Sequence, residues 1–471
     1  MPRSVASIAF VLVPLALATL AAAAGQEKWM GWYFKDFDPA GVESSALVTT
    51  DDYKLARNIW SHVTRFYAVL ESKEFEQLED GFTDITLSQN MPATKLPVRS
   101  APAFLANLET AWVNGTTLWL DYSFPAFPEN VGHWMEMLLP VYSQLSLGKW
   151  KEQLRAGEDL YIGACIFPNL RRGQVQGVPW VVDMVKLALG PGLPPGKELP
   201  IVLFYDELEQ LNATMWTGFE RILYIQDRYT HPTGRNGFAT QELGRQFRDA
   251  AYRHVNFSRH DTWDQGIPPP TITYLMANGG EQVVNNGDIL ASLQDLGSAL
   301  GFRVRPYTVT SQAPFSSYVA SMAKTGVLVA RHGPLLGNTI FLPPGALVLE
   351  LLPYNWEWKR ISEMYYNMTR SLGDIHHFAW RATSSQWAVY NPPEDVKYSH
   401  WTIEECSSKY CLEAHARAGM IADVGSVHEI LLDLLPSVMR GEAVDTLRPR
   451  RPWPTIKPEG DGHTGLWWDV Q

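Results

Sequence analysis

From Thr271 to Pro353 the chain alternates between short apolar runs and amphipathic stretches, and this alternation restricts the fold more than any other feature. Thr271–Met276, Val304–Val309, Val327–Ala330 and Leu347–Leu351 each read as a strand. Asp288–Leu300 and Ser316–Ala323 read as helices, and in the first the apolar residues 289, 290, 293, 296 and 300 share one face. Asn285 and Asn286 precede it as candidate caps. Strands joined by helical crossovers run parallel, so the segment predicts a parallel sheet with helices on both faces.

A related order is present upstream. A strand at Thr117–Tyr122 is followed by a helix over Glu129–Leu147. Strand-like runs come at Leu160–Phe167, Pro200–Tyr205 and Ile222–Ile225, and a helix spans Gln241–Val255. Between the two regions lies "SRHDTWDQGIPPP", polar and ending in three prolines, which fits a boundary. At 471 residues the chain exceeds one ordinary domain. We therefore expect an N-terminal α/β lobe over 26–258, a C-terminal Rossmann-like lobe over 259–440 and an irregular Pro- and Trp-rich tail over 441–471. Within the second lobe Ser426 and Glu429 form a candidate capping box, ahead of apolar residues 427, 430, 431, 434, 435 and 438.

Arg3, the apolar run Val5–Leu20 and the small residues Ala21–Ala24 read as a signal peptide over 1–24. A signal anchor is the alternative, since a bilayer span takes roughly 20 residues. That anchor would be the chain's only attachment to a membrane. Asn114, Asn212, Asn256 and Asn367 head N-x-S/T triplets, which fits passage through the lumen of the endoplasmic reticulum or Golgi. In that oxidising setting Cys406 and Cys411 are close enough to pair in a disulfide, leaving Cys165 as a buried free thiol. The net charge of −11, with no basic run before the extreme C-terminus, excludes a nucleic-acid partner. Eighteen tryptophans suit carbohydrate stacking and a Trp-rich core equally.

The segment "VLVARHGPLLGNTIFLPPGALVLELLP", residues 327–353, concentrates the chemistry. A buried strand ends at Ala330, Arg331–Gly333 turn, and Pro334 suits the first position of a helix. Ligands of open α/β sheets bind at the carboxyl ends of strands, where a helix N-terminus offers free N–H groups to an anion. Glu350 lies inside an otherwise apolar strand and needs a partner, a ribose hydroxyl or a cation among the choices. One such pairing is Arg331–Glu350.

This segment resembles the family 61 glycosyltransferases. The shared pattern is His332, Gly333, Leu336 and Asn338, then Phe341, Leu342, Pro343 and Gly345, then Glu350, Leu351 and Pro353. Upstream, Asn130, His133, Glu136, Leu139 and Pro140 match the family's N-x-x-H pattern. "ACIF" at 164–167 and "FRDAAYRHVN" at 247–256 are similar to further pieces. The resemblance covers about 128 to 355. It implies a GT-B-like architecture of two Rossmann-like lobes and an inverting transfer of a GlcNAc- or xylose-class sugar. The donor would be a UDP-sugar, bound as co-substrate, and the acceptor a glycan or glycoprotein. No metal or other cofactor is expected. His133 and Glu136 would be candidates for the catalytic base; Arg331, His332, Gly333, Leu336, Asn338 and Glu350 would face the donor.

The sequence departs from the family where arginines are usual, at Ala277 and Glu281, and it has Pro334 after His-Gly. Arg331 is the expected replacement cation for the donor diphosphate. If that replacement is insufficient, the chain would be a catalytically degenerate lumenal glycan-binding protein of the same fold. Asp36 and Asp38 form a D-x-D pattern far from the sheet that should hold a nucleotide.

Overall fold

The computed structural model describes residues 42–62, 65–71, 86–88, 91–98, 100–122, 125–197, 199–212, 215–225, 237–258, 261–276, 283–308, 312–356, 358–402, 405–407 and 409–454. The signal segment 1–24, Asp36 and Asp38, and Ala277 and Glu281 lie outside the described residues.

Two sheets dominate. The first contains β1 (Ala46–Thr49), β2 (Tyr53–His62), β3 (Arg65–Glu71), β4 (Thr86–Ser88), β5 (Met91–Val98), β6 (Thr110–Trp119), β7 (Ile162–Phe167), β8 (Ile201–Phe204) and β9 (Trp216–Ile225). Strands β8, β7, β6 and β9 are neighbours in that order and run parallel. Counted from β6 they stand in the order 3-2-1-4, as in a Rossmann half. β2 joins β9 antiparallel and extends the sheet through β3. The crossover helix after β6 is α1 (Val131–Leu147), and α2 (Trp180–Leu189) precedes β8. Asn130 caps α1 by accepting from His133 N, and Gly148, at φ 67°, ends it in the left-handed region that glycine tolerates. Helix α3 (Gln241–His254) follows the sheet.

The second sheet contains β10 (Thr271–Met276), β11 (Arg303–Thr308), β12 (Val327–Arg331), β13 (Leu347–Leu352) and β14 (His376–Arg381). It is all parallel, in the order β11-β10-β12-β13-β14. Its helices are α4 (Asn286–Leu300), α5 (Phe315–Ala323), α6 (Met364–Arg370), α7 (Lys409–Arg417) and α8 (Val424–Met439). Between β12 and β13 the expected α-helix is instead a 3-10 segment, Pro334–Phe341. Asp423 caps α8, accepting from Gly425 N and Ser426 N, so the Ser426–Glu429 box is corrected. Asn285 precedes α4, yet its side chain pairs with both the N–H and the carbonyl of Ala422 rather than with the helix.

Side-chain alternation divides the core. Leu328, Ala330 and Val348 on one face of the second sheet join a cluster that includes Trp134 and Leu138 of α1, Val181 of α2, Phe247 of α3 and Leu118 and Leu223 of the first sheet. Val327, Val329 and Leu349 on the opposite face pack beneath α4 and α8. The two sheets thus share one apolar layer of helices.

The stretch before β10 is part of this layer. Trp263 is 3% exposed and packs on Tyr252 and Phe257. Arg248 of α3 is buried and donates to Leu342 O and to both carboxylate oxygens of Asp374, tying α3 to the turns on either side of β13. Part of the expected irregular tail is also packed, since Trp453 stacks on Tyr366 of α6. No helix among the described residues is long and apolar enough to cross a membrane.

Candidate functional site

Counted from β10, the second sheet has the order 2-1-3-4-5, so its topological switch point lies between β10 and β12. In open α/β sheets a ligand crevice forms there, beyond the carboxyl ends of the strands. Those ends are Met276 and Arg331, and His332 is the next residue. Its N–H donates to Leu351 O, which continues the ladder with β13 one step past β12.

Parity decides which side chains meet. Ala330 pairs with Glu350, and Val348 with His377. His332, Glu350 and His377 therefore project from the face of the shared apolar layer. His332 Nδ1 bonds one Glu350 oxygen, and His377 Nε2 bonds the other at 2.9 Å. His377 Nδ1 is 2.7 Å from the Thr369 hydroxyl of α6. Glu350 is fully buried. Burial opposes its charge, but the imidazoles of His332 and His377 overcome this and hold its carboxyl below the ordinary range. The His332 ring lies 5.0 Å from Tyr365 and 5.6 Å from Trp356.

The first turn of α1 reaches the same place. A Cβ on Gly337 would sit 3.1 Å from the Cα of Gly132, and a Cβ on Gly132 would sit 2.6 Å from the Tyr365 hydroxyl. The α1 N-terminus is thereby seated on the 3-10 segment and on Tyr365, whose ring touches His332. The residue after Gly132 is His133, with Nδ1 2.7 Å from Glu136 and both side chains half-buried. The His332–Glu350 pair thus lies beside Tyr365, and the His133–Glu136 pair starts one residue after the Gly132 that abuts the Tyr365 hydroxyl.

The remaining candidates are placed as follows. Leu336 is in the core, and buried Asn338 donates to Leu335 O, serving its own turn. Gly333 leads into Pro334. Arg331 has the opposite parity to His332. Its Nη2 donates to Ala416 O and Ala418 O at 3.1 and 2.9 Å, where α7 ends. The Arg331–Glu350 pairing is therefore not formed, because adjacent strand faces separate the two side chains and the histidines hold Glu350.

Cys406 and Cys411 form the disulfide. With His415 they are the one group of potential metal ligands among the described residues, and the disulfide engages both sulfurs. Cys165 is free and buried, and burial pushes its thiol up. Asn256 is exposed, at φ 54°. Asn114 in β6 and Asn367 in α6 are half-buried, and the Thr369 of the latter's triplet is the residue that faces His377. Asn212 ends the short helix Tyr205–Asn212, and its side chain lies outside the described residues.

Sequence reasoning missed His377, Thr369, Tyr365 and Trp356 as members of this cluster. Adjacent His376 and His377 must point apart on a strand, and they do. Only the register of β14 on β13 shows which one reaches Glu350.

Fold and site together define an α/β protein with a polar cluster at the switch point of a parallel sheet. No family model matches the chain. Among curated proteins, it is 29% identical over 116 residues to protein O-linked-mannose β-1,4-N-acetylglucosaminyltransferase 2 of Tetraodon nigroviridis, covering 23% of this chain and 18% of that protein. The protein of that name in Xenopus laevis is 27% identical over 137 residues, 28% of this chain and 22% of the relative. The one in Homo sapiens is 28% identical over 116 residues, again 23% and 18%. The matched stretch spans about a fifth of the relatives' length. These relatives are glycosyltransferases by name, and the similarity supports that general class of enzyme.

Proposed function

We propose that this chain is an inverting, UDP-sugar-dependent glycosyltransferase of the family 61 type, with its two Rossmann-like halves in a GT-B-like arrangement. The sugar is of the GlcNAc or xylose class, and the acceptor is a glycan or glycoprotein hydroxyl in the lumen of the secretory pathway. The names of the relatives favour GlcNAc as the sugar and protein O-linked mannose as the acceptor. What supports this reading is the seating of the α1 turn on Tyr365, whose ring neighbours His332 of the His332–Glu350 pair, with a second His–carboxylate pair, His133–Glu136, in the same turn of α1.

The reaction is a single displacement at the anomeric carbon. It needs a base for the acceptor hydroxyl and positive charge for the departing diphosphate. The base comes from one of the two pairs, His133–Glu136 or His332–Glu350. Arg331 at the carboxyl end of β12, with the Leu335 N–H in the first turn of the 334–341 segment, supplies the charge, and no metal is required in this reading. Gly333, Leu336 and Asn338 shape the donor side of the turn.

A second reading is a glycan-binding protein that keeps the fold without the activity. It is favoured by the engagement of Arg331 with two carbonyls of the α7 end, and by Ala277 and Glu281 where the family has arginines. Calorimetric titration of UDP separates the readings. Arg331→Ala is expected to weaken UDP binding by on the order of 1.5–3 kcal/mol, the scale of one charge-assisted contact, with Arg331→Lys between. Unchanged affinity with a lowered melting temperature would leave Arg331 a purely structural role. A wild type that does not bind UDP would favour the second reading.

A further inference from the structure

A carboxylate only accepts hydrogen bonds, so each imidazole that contacts Glu350 must present an N–H to it. His332 contacts it through Nδ1 and His377 through Nε2. A neutral His332 then carries its proton on Nδ1 and an unshared electron pair on Nε2. That Nε2 makes no hydrogen bond among the described residues, and the His332 side chain keeps 5% of its surface exposed at the carboxyl end of β12. An electron pair repels phosphate oxygens and accepts a hydroxyl proton.

We infer that His332 Nε2 is the base that takes the proton from the acceptor hydroxyl, with Glu350 and His377 as positioning residues. This assignment rests on the transferase reading and selects between its two pairs. As the acceptor oxygen forms its bond to the anomeric carbon, its proton moves to His332 Nε2. The bond from that carbon to the diphosphate oxygen breaks, and the electron pair leaves on the diphosphate. The imidazolium so formed is stabilised by Glu350, itself held by His377 and, behind it, Thr369. Such layered support fixes tautomer and ring orientation together.

The His133–Glu136 pair is less suited. Its side chains are 21% and 16% exposed, whereas those of His332 and Glu350 are 5% and 0% exposed. Water screens the first carboxylate, and the low dielectric around the second strengthens its hold on a positive ring. The titratable groups that meet His332 are Glu350 on β13 and Tyr365 on α6, with His377 on β14 holding the other oxygen of Glu350. Arg331 lies on the other sheet face.

Two measurements on the full chain test this. Histidine-selective nitrogen-15 spectra, assigned by difference with His332→Gln, report which ring nitrogen of His332 holds the proton. A bare Nε2 is expected. In transfer assays with UDP-GlcNAc and an O-mannosyl peptide, kcat/KM should fall as His332 becomes protonated on the acid side. His332→Gln should remove that limb and lower kcat by about 10²–10⁴-fold, the range of general-base catalysis, with UDP affinity kept. His377→Gln should shift the limb without removing it. His133→Gln should act on the KM for the acceptor and keep the limb. A proton on Nε2 overturns the assignment with or without activity. So does a limb that survives in His332→Gln and vanishes in His133→Gln. A wild type that transfers no sugar overturns both the assignment and the transferase reading.

Discussion

An isolated carboxylate costs several kcal/mol to bury, and Glu350 avoids that cost by accepting from two imidazoles on its own sheet face. Two other buried histidines have no such carboxylate. Burial lowers His376 and His415 from 6.5 to about 4, so both stay neutral in the folded protein near neutral pH. The unfolded chain binds protons at these sites between pH 6.5 and 4 while the folded chain does not, so their stabilisation is lost as pH falls through that window. Glu350 acts in the same direction lower down: its folded value is depressed, and its contribution is lost once acid protonates the folded carboxylate. Thermal unfolding in a buffer series should show a falling midpoint from pH 6.5 downward, flattened in His376→Gln. A midpoint constant over that window would contradict this account. In the sequence Glu350 was visible as a polar residue that needed a partner. Its partners were not, because His377 lies 27 residues away and reaches it only through the β13–β14 register.

At the scale of elements, the first four strands of the second sheet and the helices between them were legible to within a few residues, whereas β6 and β9 begin well before the expected Thr117 and Ile222 and the crossover helix α2 was not read. β14 was not legible. "HHFAWR" mixes two imidazoles into a strand, and their burial depends on neighbours from other elements. The helix expected after Pro334 becomes a 3-10 segment whose Gly337 packs directly on the Gly132 backbone of α1, a contact no local pattern reveals. The glycine that closes the Pro-Pro-Gly turn has a plain physical reason. Gly345 stands at φ 77°, and a Cβ there would lie 1.9 Å from Gly266 O. Gly345→Ala should therefore destabilise the protein by about 2–5 kcal/mol, combining the left-handed penalty with a backbone clash. Denaturant unfolding checks this. A change below 1 kcal/mol, about the effect of an ordinary exposed substitution, would mean that the turn is not held as described.

At the scale of the molecule, the sequence marked a boundary ending in Pro268–Pro270 between two α/β lobes. In the folded chain one apolar cluster takes side chains from both sheets, and Trp263 and Arg248 fasten the intervening segments into it. Long-range packing of this kind leaves no periodic trace in the sequence. It should make the halves unfold together: calorimetry is expected to give one transition, and two separated transitions would show that the shared layer does not couple them. The same layer seats the α1 turn against the segment that follows β12, and so brings Gly132 of α1 and His332 to Tyr365. The central claim is that this arrangement transfers a sugar, and its most direct test is incubation of the purified full chain with UDP-GlcNAc and an O-mannosyl peptide, followed by mass and linkage analysis. Release of UDP and a product with a β-linked sugar are expected, as inversion of an α-linked donor requires. An α-linked product would contradict the single displacement, and the absence of any product with GlcNAc or xylose donors, together with no binding of UDP, would contradict the enzyme.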